Sequence, residues 1–160
     1  MTDALRIGNG YDIHRLVDGG PLILGGVRID YERGLHGHSD GDVLTHAIIN
    51  ALLGAAALGD IGMHFPPGDP KFKGINSLDM LKTVHDLIKQ HGYQIGNIDS
   101  MVICERPKLS PHYPAMRKAL SDALAIDLNN ISVKASTAEG LGTIGSGDAI
   151  AAHAVAILIS

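Results

Sequence analysis

Apolar positions recur with two different periods along the chain, and the places where the period changes mark the elements. Val43, Ala47, Ile48, Ala51, Leu52 and Ala55 return at three- and four-residue steps, which predicts a helix over Asp42–Leu58 closed by Gly59-Asp60. The same spacing in Leu78, Leu81, Val84, Leu87 and Ile88 predicts a helix from the N-cap Asn76, with Asp79 in its first turn, to about His91, where Gly92 ends it. A third helix is predicted over about Tyr113–Ala125. Strands are predicted at Leu5–Gly10, running into a tight turn at Gly8-Asn9-Gly10, and at Pro21–Leu24 and Val27–Ile29 around a Gly25-Gly26 bend. Ile98–Cys104 and Ile131–Ser136 read as further strands. Ala149–Ile159 is small and apolar on every side, and its place after the glycine-rich Gly140–Gly147 favours a buried strand. Tyr31–Gly41, the proline-rich Gly62–Gly74 and Pro107–Pro114 read as loops and turns. This alternation predicts an α/β fold, an α+β sandwich whose mixed β-sheet carries helices on one face, in a single domain over 1–160.

Composition narrows the chemistry. Of 160 residues 45% are hydrophobic and 19% charged, which excludes a disordered or fibrous chain. Aromatics at 4% and a net charge of −4 speak against a stacking or electrostatic nucleic-acid platform. The N-terminal Met-Thr-Asp-Ala-Leu-Arg lacks a basic region followed by an apolar run, and no apolar stretch is long enough for a bilayer, so a cytoplasmic protein is expected. Nine histidines stand beside one cysteine, so a metal would have to be held by imidazole and carboxylate.

Four segments carry candidate chemistry. In an extended Asp12-Ile13-His14 the carboxylate and the imidazole point the same way, and Gly8 and Gly10 allow a close backbone approach; alone, the pair is weak evidence and reads first as a solvated loop pair. The run from His36 to His46 places three His and two Asp where a loop enters a helix. Carboxylates and a phosphate both suit that helix N-terminus, although Ser39 or Asp40 could simply cap it. Lys134–Gly142 delivers Ser136, Thr137 and Glu139 into a glycine loop, a candidate phosphate cradle with an oxygen ligand for a hard ion such as Mg²⁺. Glu105–Pro111 is a rigid turn that could frame a flat ligand.

Together these segments resemble the 2-C-methyl-D-erythritol 2,4-cyclodiphosphate synthase family along nearly the whole chain. The resemblance is carried by GNGYDIH at Gly8–His14, Leu24–Val27, His38-Ser39-Asp40-Gly41-Asp42-Val43 with His46-Ala47, and ALLGAAALGDIG at Ala51–Gly62. Phe65-Pro66, Asp69-Pro70, Phe72-Lys73-Gly74, Pro107-Lys108 and Val133-Lys134-Ala135 complete it. It implies a homotrimer whose sheets face the interior, with active sites shared between subunits, and no nucleic-acid or membrane partner. It implies a phosphorus-oxygen lyase that converts 4-diphosphocytidyl-2-C-methyl-D-erythritol 2-phosphate to the cyclic diphosphate and CMP. One Zn²⁺ per subunit is implied at Asp12, His14 and His46, and Mg²⁺ or Mn²⁺ near Glu139. His38, Thr137 and Glu139 are implied as catalytic. His38, Ser39, Asp60, Gly62 and Phe65 are implied to hold the 2-phosphate and sugar-alcohol end. Cys104, Lys108, Leu109, Ser110, Ala135, Ser136 and Thr137 are implied to hold the cytidine diphosphate end.

The chain departs from the family pattern at Asn50, Pro67, Ala138 and in Gly142–Asp148. Only the last bears on the trimer's central cavity, where Ser146 and Asp148 replace a frequent Arg and Glu and the resemblance does not carry over an isoprenoid-diphosphate site. Two rivals are weighed. His36-x-His38-x-Asp40 superficially matches a metallo-β-lactamase-type hydrolase, but Gly41 stands where that site needs His. A non-catalytic metal- or nucleotide-binding module would be expected to lack Glu139 or one member of the metal set, and all are present.

Overall fold

A computed structural model describes residues 4–160. Met1–Asp3, the first part of the N-terminal run considered above, lie outside the described residues. The elements in chain order are β1 (Leu5–Asp18), β2 (Leu22–Leu24), β3 (Val27–Ile29), β4 (Arg33–Leu35), α1 (Val43–Ala55), α2 (Ile61–His64) and α3 (Ser77–Gln90). They continue with β5 (Gln94–Ile103), α4 (Tyr113–Leu124), β6 (Ile131–Ser136), α5 (Gly142–Gly145) and β7 (Ala149–Ile159). The main sheet has the order β4-β1-β7-β5-β6, and β2 and β3 form a separate hairpin. Only the β5–β6 pair is parallel. The sheet is therefore mixed, as expected.

The first strand corrects the sequence reading. Gly8-Asn9-Gly10 is not a turn; β1 passes straight through it, paired with β7 from Leu5↔Ile159 to Arg15↔Ala149. The glycines serve packing instead. A Cβ at Gly10 would lie 1.9 Å from the carbonyl oxygen of Ala47, and one at Gly8 would lie 2.0 Å from that of Ala51. Helix α1 thus rests directly on bare strand backbone, its alanines against the two glycines.

Two predicted loops also hold structure. Tyr31–Gly41 contains β4, which pairs with the end of β1 through Leu16↔Leu35. Gly62–Gly74 overlaps α2 and a 3-10 turn at Pro70–Phe72, because Asp60 caps one and Asp69 the other. Phe65 is buried there, edge-to-face with Phe72 at 5.3 Å. Strand β5 begins before the predicted Ile98, through an irregularity between Ile95 and Asn97.

Helix α1 is buried on nearly every side, between the sheet and α3. Leu44, Ile48 and Leu52 join Leu81, Val84 and Ile88 of α3 and Ile98 and Val102 of β5 in one core. Even positions of β1 and β7 face this layer. The opposite sheet face exposes Ile7, Tyr11, Ile13 and Val155. Strand β7 is buried on both faces from Ala149 to Ala152, as its composition suited. Beyond that its helix side stays buried, while His153 and Val155 are exposed and Ile157 and Ile159 half-buried on the other. Among the described residues no helix is long and apolar enough to cross a membrane.

Candidate active site

The approach of α1 to β1 sets the first cluster. Beyond Gly8 and Gly10, the next two side chains on the same face of β1 are Asp12 and His14, and they meet His46 one residue before Ala47. Asp12 Oδ2 lies 3.0 Å from His14 Nε2 and 3.0 Å from His46 Nδ1. One ligand atom from each of the three lies within 4.8 Å of the others. A divalent ion bound tetrahedrally at about 2.0–2.1 Å needs ligand atoms about 3.3 Å apart, so small shifts would admit one. The far ring nitrogens are also engaged: His14 Nδ1 donates to the His36 carbonyl at 2.7 Å, and His46 Nε2 faces Ser39 Oγ at 3.1 Å. These partners aim both imidazoles inward, as supporting groups do around metal ligands. The donor set of two imidazoles and one carboxylate fits a divalent metal ion.

Electrostatics agree. Burial raises the Asp12 carboxyl, but hydrogen bonds and the charges of His14 and His46 outweigh it and hold it at about 2. The bond to Asp12 raises the His14 imidazole against an opposing burial effect. Asp12 is thus an anion near neutral pH, and His14 holds its proton more tightly than an ordinary imidazole, a proton a metal competes with.

Asp42 and Asp40 prove to be builders. Fully buried Asp42 caps α1 through Thr45 N and also accepts from Gly25 N, Gly26 N, Thr45 Oγ1 and Ser77 Oγ. One carboxylate therefore ties the hairpin turn and the starts of α1 and α3 together. Asp40 accepts from Asp42 N and Ser77 N. The sequence reading put the cap at Ser39 or Asp40; it is Asp42, and its other partners lie on distant segments. His36 lends its carbonyl, and the rival His36-x-His38-x-Asp40 metal set is not assembled.

A cavity of about 180 Å³ opens over the triad, walled by His38, Ser39, Gly62, Phe65 and Pro67 among others. His38 Nε2 accepts from Gly68 N at 3.2 Å, which holds the proline loop beside it. Asp60 does not line this cavity; it caps α2 by accepting from Met63 N, and Asn50 Oδ1 accepts from Ile61 N alongside.

A second cavity of about 420 Å³ gathers Cys104, Lys108, Leu109, Ser110, Ala135, Ser136 and Thr137, the expected cytidine diphosphate set, with Glu105 beside them. Burial pushes the Cys104 thiol up to about 12, so it stands here as a neutral wall. Glu139 is exposed, lines neither cavity and has left-handed backbone, φ 53°. The two cavities share no residue. Asp12, Ala152, Val102 and Ala135 form one row across the sheet, which places Asp12 and Ala135 three strand spacings, about 14 Å, apart.

Residues 5–159 match the model of the YgbB family. A 2-C-methyl-D-erythritol 2,4-cyclodiphosphate synthase of Gloeobacter violaceus is 58% identical over 154 residues, 96% of this chain and 94% of its own. The chain belongs to the 2-C-methyl-D-erythritol 2,4-cyclodiphosphate synthase family. A synthase of that name from Clostridium perfringens is 56% identical, covering 97% of this chain and 99% of the relative. A solved structure of such a synthase in a CDP-bound form superposes with a TM-score of 0.88 at 38% identity, covering 96% of this chain and 99% of that one. The CDP complex of Plasmodium falciparum IspF gives 0.86 at 40% identity, covering 99% and 98%. Bifunctional IspDF from Campylobacter jejuni gives 0.95 at 41% identity; the chain spans 43% of that larger protein.

Proposed function

We propose that this chain is the CMP-releasing synthase itself, a phosphorus-oxygen lyase of the non-mevalonate isoprenoid route, acting in the cytoplasm as one synthase domain over 1–160. An oxygen of the substrate's 2-phosphate attacks the β-phosphorus; the bond from that phosphorus to the oxygen bridging it to the α-phosphate breaks, and CMP leaves with that oxygen. No protein nucleophile is needed, so the chain's work is holding two anionic ends together and offsetting their charge. The observation that carries this reading is the Asp12–His14–His46 triad at the floor of a pocket, in a chain of this family.

The residues divide the work. Asp12, His14 and His46 would hold Zn²⁺, and Glu139 would hold Mg²⁺ or Mn²⁺ together with substrate oxygens. Bound ions supply charge neutralisation and polarisation to the phosphates. His38 and Ser39 orient the 2-phosphate, and Gly62 and Phe65 shape the sugar-alcohol pocket, with Asp60 acting through the cap of the helix that carries Gly62. Lys108, Cys104, Leu109, Ser110 and Ala135 hold the cytidine end, with Ser136 and Thr137 on its diphosphate. Since the two cavities do not meet within one chain, a neighbouring subunit must complete each site. The exposed Ile7, Tyr11, Ile13 and Val155 form an apolar face suited to self-association, which supports a homotrimer with its sheets inward.

The test is an assay with the diphosphocytidyl substrate and Mg²⁺. Equal yields of CMP and the cyclic diphosphate are expected. CMP with a linear product would make the chain a hydrolase, and no CMP would make it a binding module; either overturns the proposal.

A further inference from the structure

The segment that carries Glu139 has an unusual anchor. Three successive backbone N–H groups there each donate to a side chain. Ala138 N donates to Glu105 Oε2 at 3.0 Å, Glu139 N to Thr137 Oγ1 at 3.3 Å, and Gly140 N to Glu105 Oε1 at 2.8 Å. One carboxylate thus spans residue 139 from both sides. Glu139 and Gly140 both have positive φ, 53° and 71°. Successive N–H groups in such a stretch form a concavity that takes an anion, and Glu105 fills it. A non-glycine residue keeps left-handed backbone only where its surroundings hold it.

The fold explains why Glu105 is the clamp. β5 and β6 run parallel and end together, Ile103 beside Ser136, and Cys104 N donates to the Ser136 carbonyl just beyond. The next residue on one chain therefore faces the loop leaving the other. Gly145 closes the loop from behind, since a Cβ there would lie 2.1 Å from Gly140 C.

We infer that Glu105 is a positioning residue: it locks the backbone on both sides of Glu139 and so sets where the Glu139 carboxylate is presented to the second divalent ion. Both Glu105 oxygens are turned to the loop N–H groups, while Glu139 between them is exposed. This inference rests on the assignment of Glu139 proposed above.

The test is CDP binding to the zinc-loaded full-length protein by calorimetry, with and without Mg²⁺, for the wild type, Glu139→Gln, Glu105→Ala and Glu105→Gln. Loss of a supporting residue costs metal affinity about 10- to 100-fold, so the Mg²⁺ concentration that half-tightens CDP binding should rise by that factor in Glu105→Ala. Zinc content should stay at the wild-type level and metal-free CDP affinity should shift by much less than that factor, which a general structural defect would not allow. Glu105→Gln keeps one acceptor and should fall between; it carries the test if the alanine variant does not fold. If Glu139→Gln leaves the Mg²⁺ effect intact, the assignment of Glu139 is wrong. If Glu139→Gln removes the effect but neither Glu105 variant weakens it, the positioning role is overturned. Tighter metal-free CDP binding in Glu105→Ala would also overturn it, because the carboxylate would then have been excluding a phosphate.

Discussion

The two ends of the proposed site are built in opposite ways. The metal end hangs on a helix and a strand pressed together at bare backbone, with Gly10 against Ala47, and every imidazole nitrogen in it has a partner within 3.1 Å. The nucleotide end is assembled from the tips of two parallel strands, in an open cavity, with its key carboxylate Glu139 exposed and braced only by loop contacts. The first end is brought together within one chain by core packing. The second, on the proposed reading, is offered to a neighbouring subunit. Metal ligands tolerate little displacement, whereas a nucleotide spread over a large pocket tolerates more.

That contrast can be broken or sharpened by substitution. The largest effect is expected at the triad: His46→Ala should abolish metal retention and lower turnover beyond the about 100-fold typical of losing a mere supporting residue. Elemental analysis and the CMP assay check it, and the cytidine end should still bind CDP. Next comes packing. Gly10→Ala drives a Cβ into the α1 backbone and should destabilise the fold by about 1–3 kcal/mol in thermal unfolding, with loss of metal. Gly140→Ala, where nothing lies within 4 Å, should cost only its left-handed backbone, about 1–2 kcal/mol, and leave the metal in place.

A smaller effect concerns protons. His14 holds its proton above its ordinary value of 6.5, so metal affinity, measured by chelator competition, should rise with pH through that raised value and then level off. In the metal-free protein the sign is opposite: the stabilisation is full below 6.5 and is lost as pH rises through the raised value. A flat affinity profile would separate His14 from the metal. The smallest effect is at Cys104. With its thiol at about 12, alkylating reagents should modify it far more slowly than a free thiol near neutral pH, as mass spectrometry can follow.

The two halves of the metal end are legible in the sequence as local patterns, and only the family resemblance joins Asp12 and His14 to His46, 34 residues beyond Asp12. Asp12-x-His14 needs only an extended strand, and His46 only a helix start. What the sequence does not reveal is the partner of Gly8 and Gly10: glycines read as a turn when nothing local says that a helix backbone lies against them. The roles of Asp42 and Glu105 are hidden for the same reason, since their hydrogen bonds reach segments 16 to 35 residues away in the chain. Strand β7 illustrates a third limit. Its small apolar residues suit burial on both faces, yet within one chain the face away from the helices is buried only at Ala149 and Ala151, and His153 and Val155 are exposed.

The most direct test of a site divided between subunits is complementation. Co-expression of His46→Ala with Glu139→Gln, each inactive alone, lets one subunit offer an intact metal end to a neighbour's intact nucleotide end. Mixed trimers in equal proportion should recover up to about a quarter of wild-type CMP release, since each half-site is intact half the time. Trimers that contain both variants and show no recovered activity would place both ends in one chain and contradict the divided site.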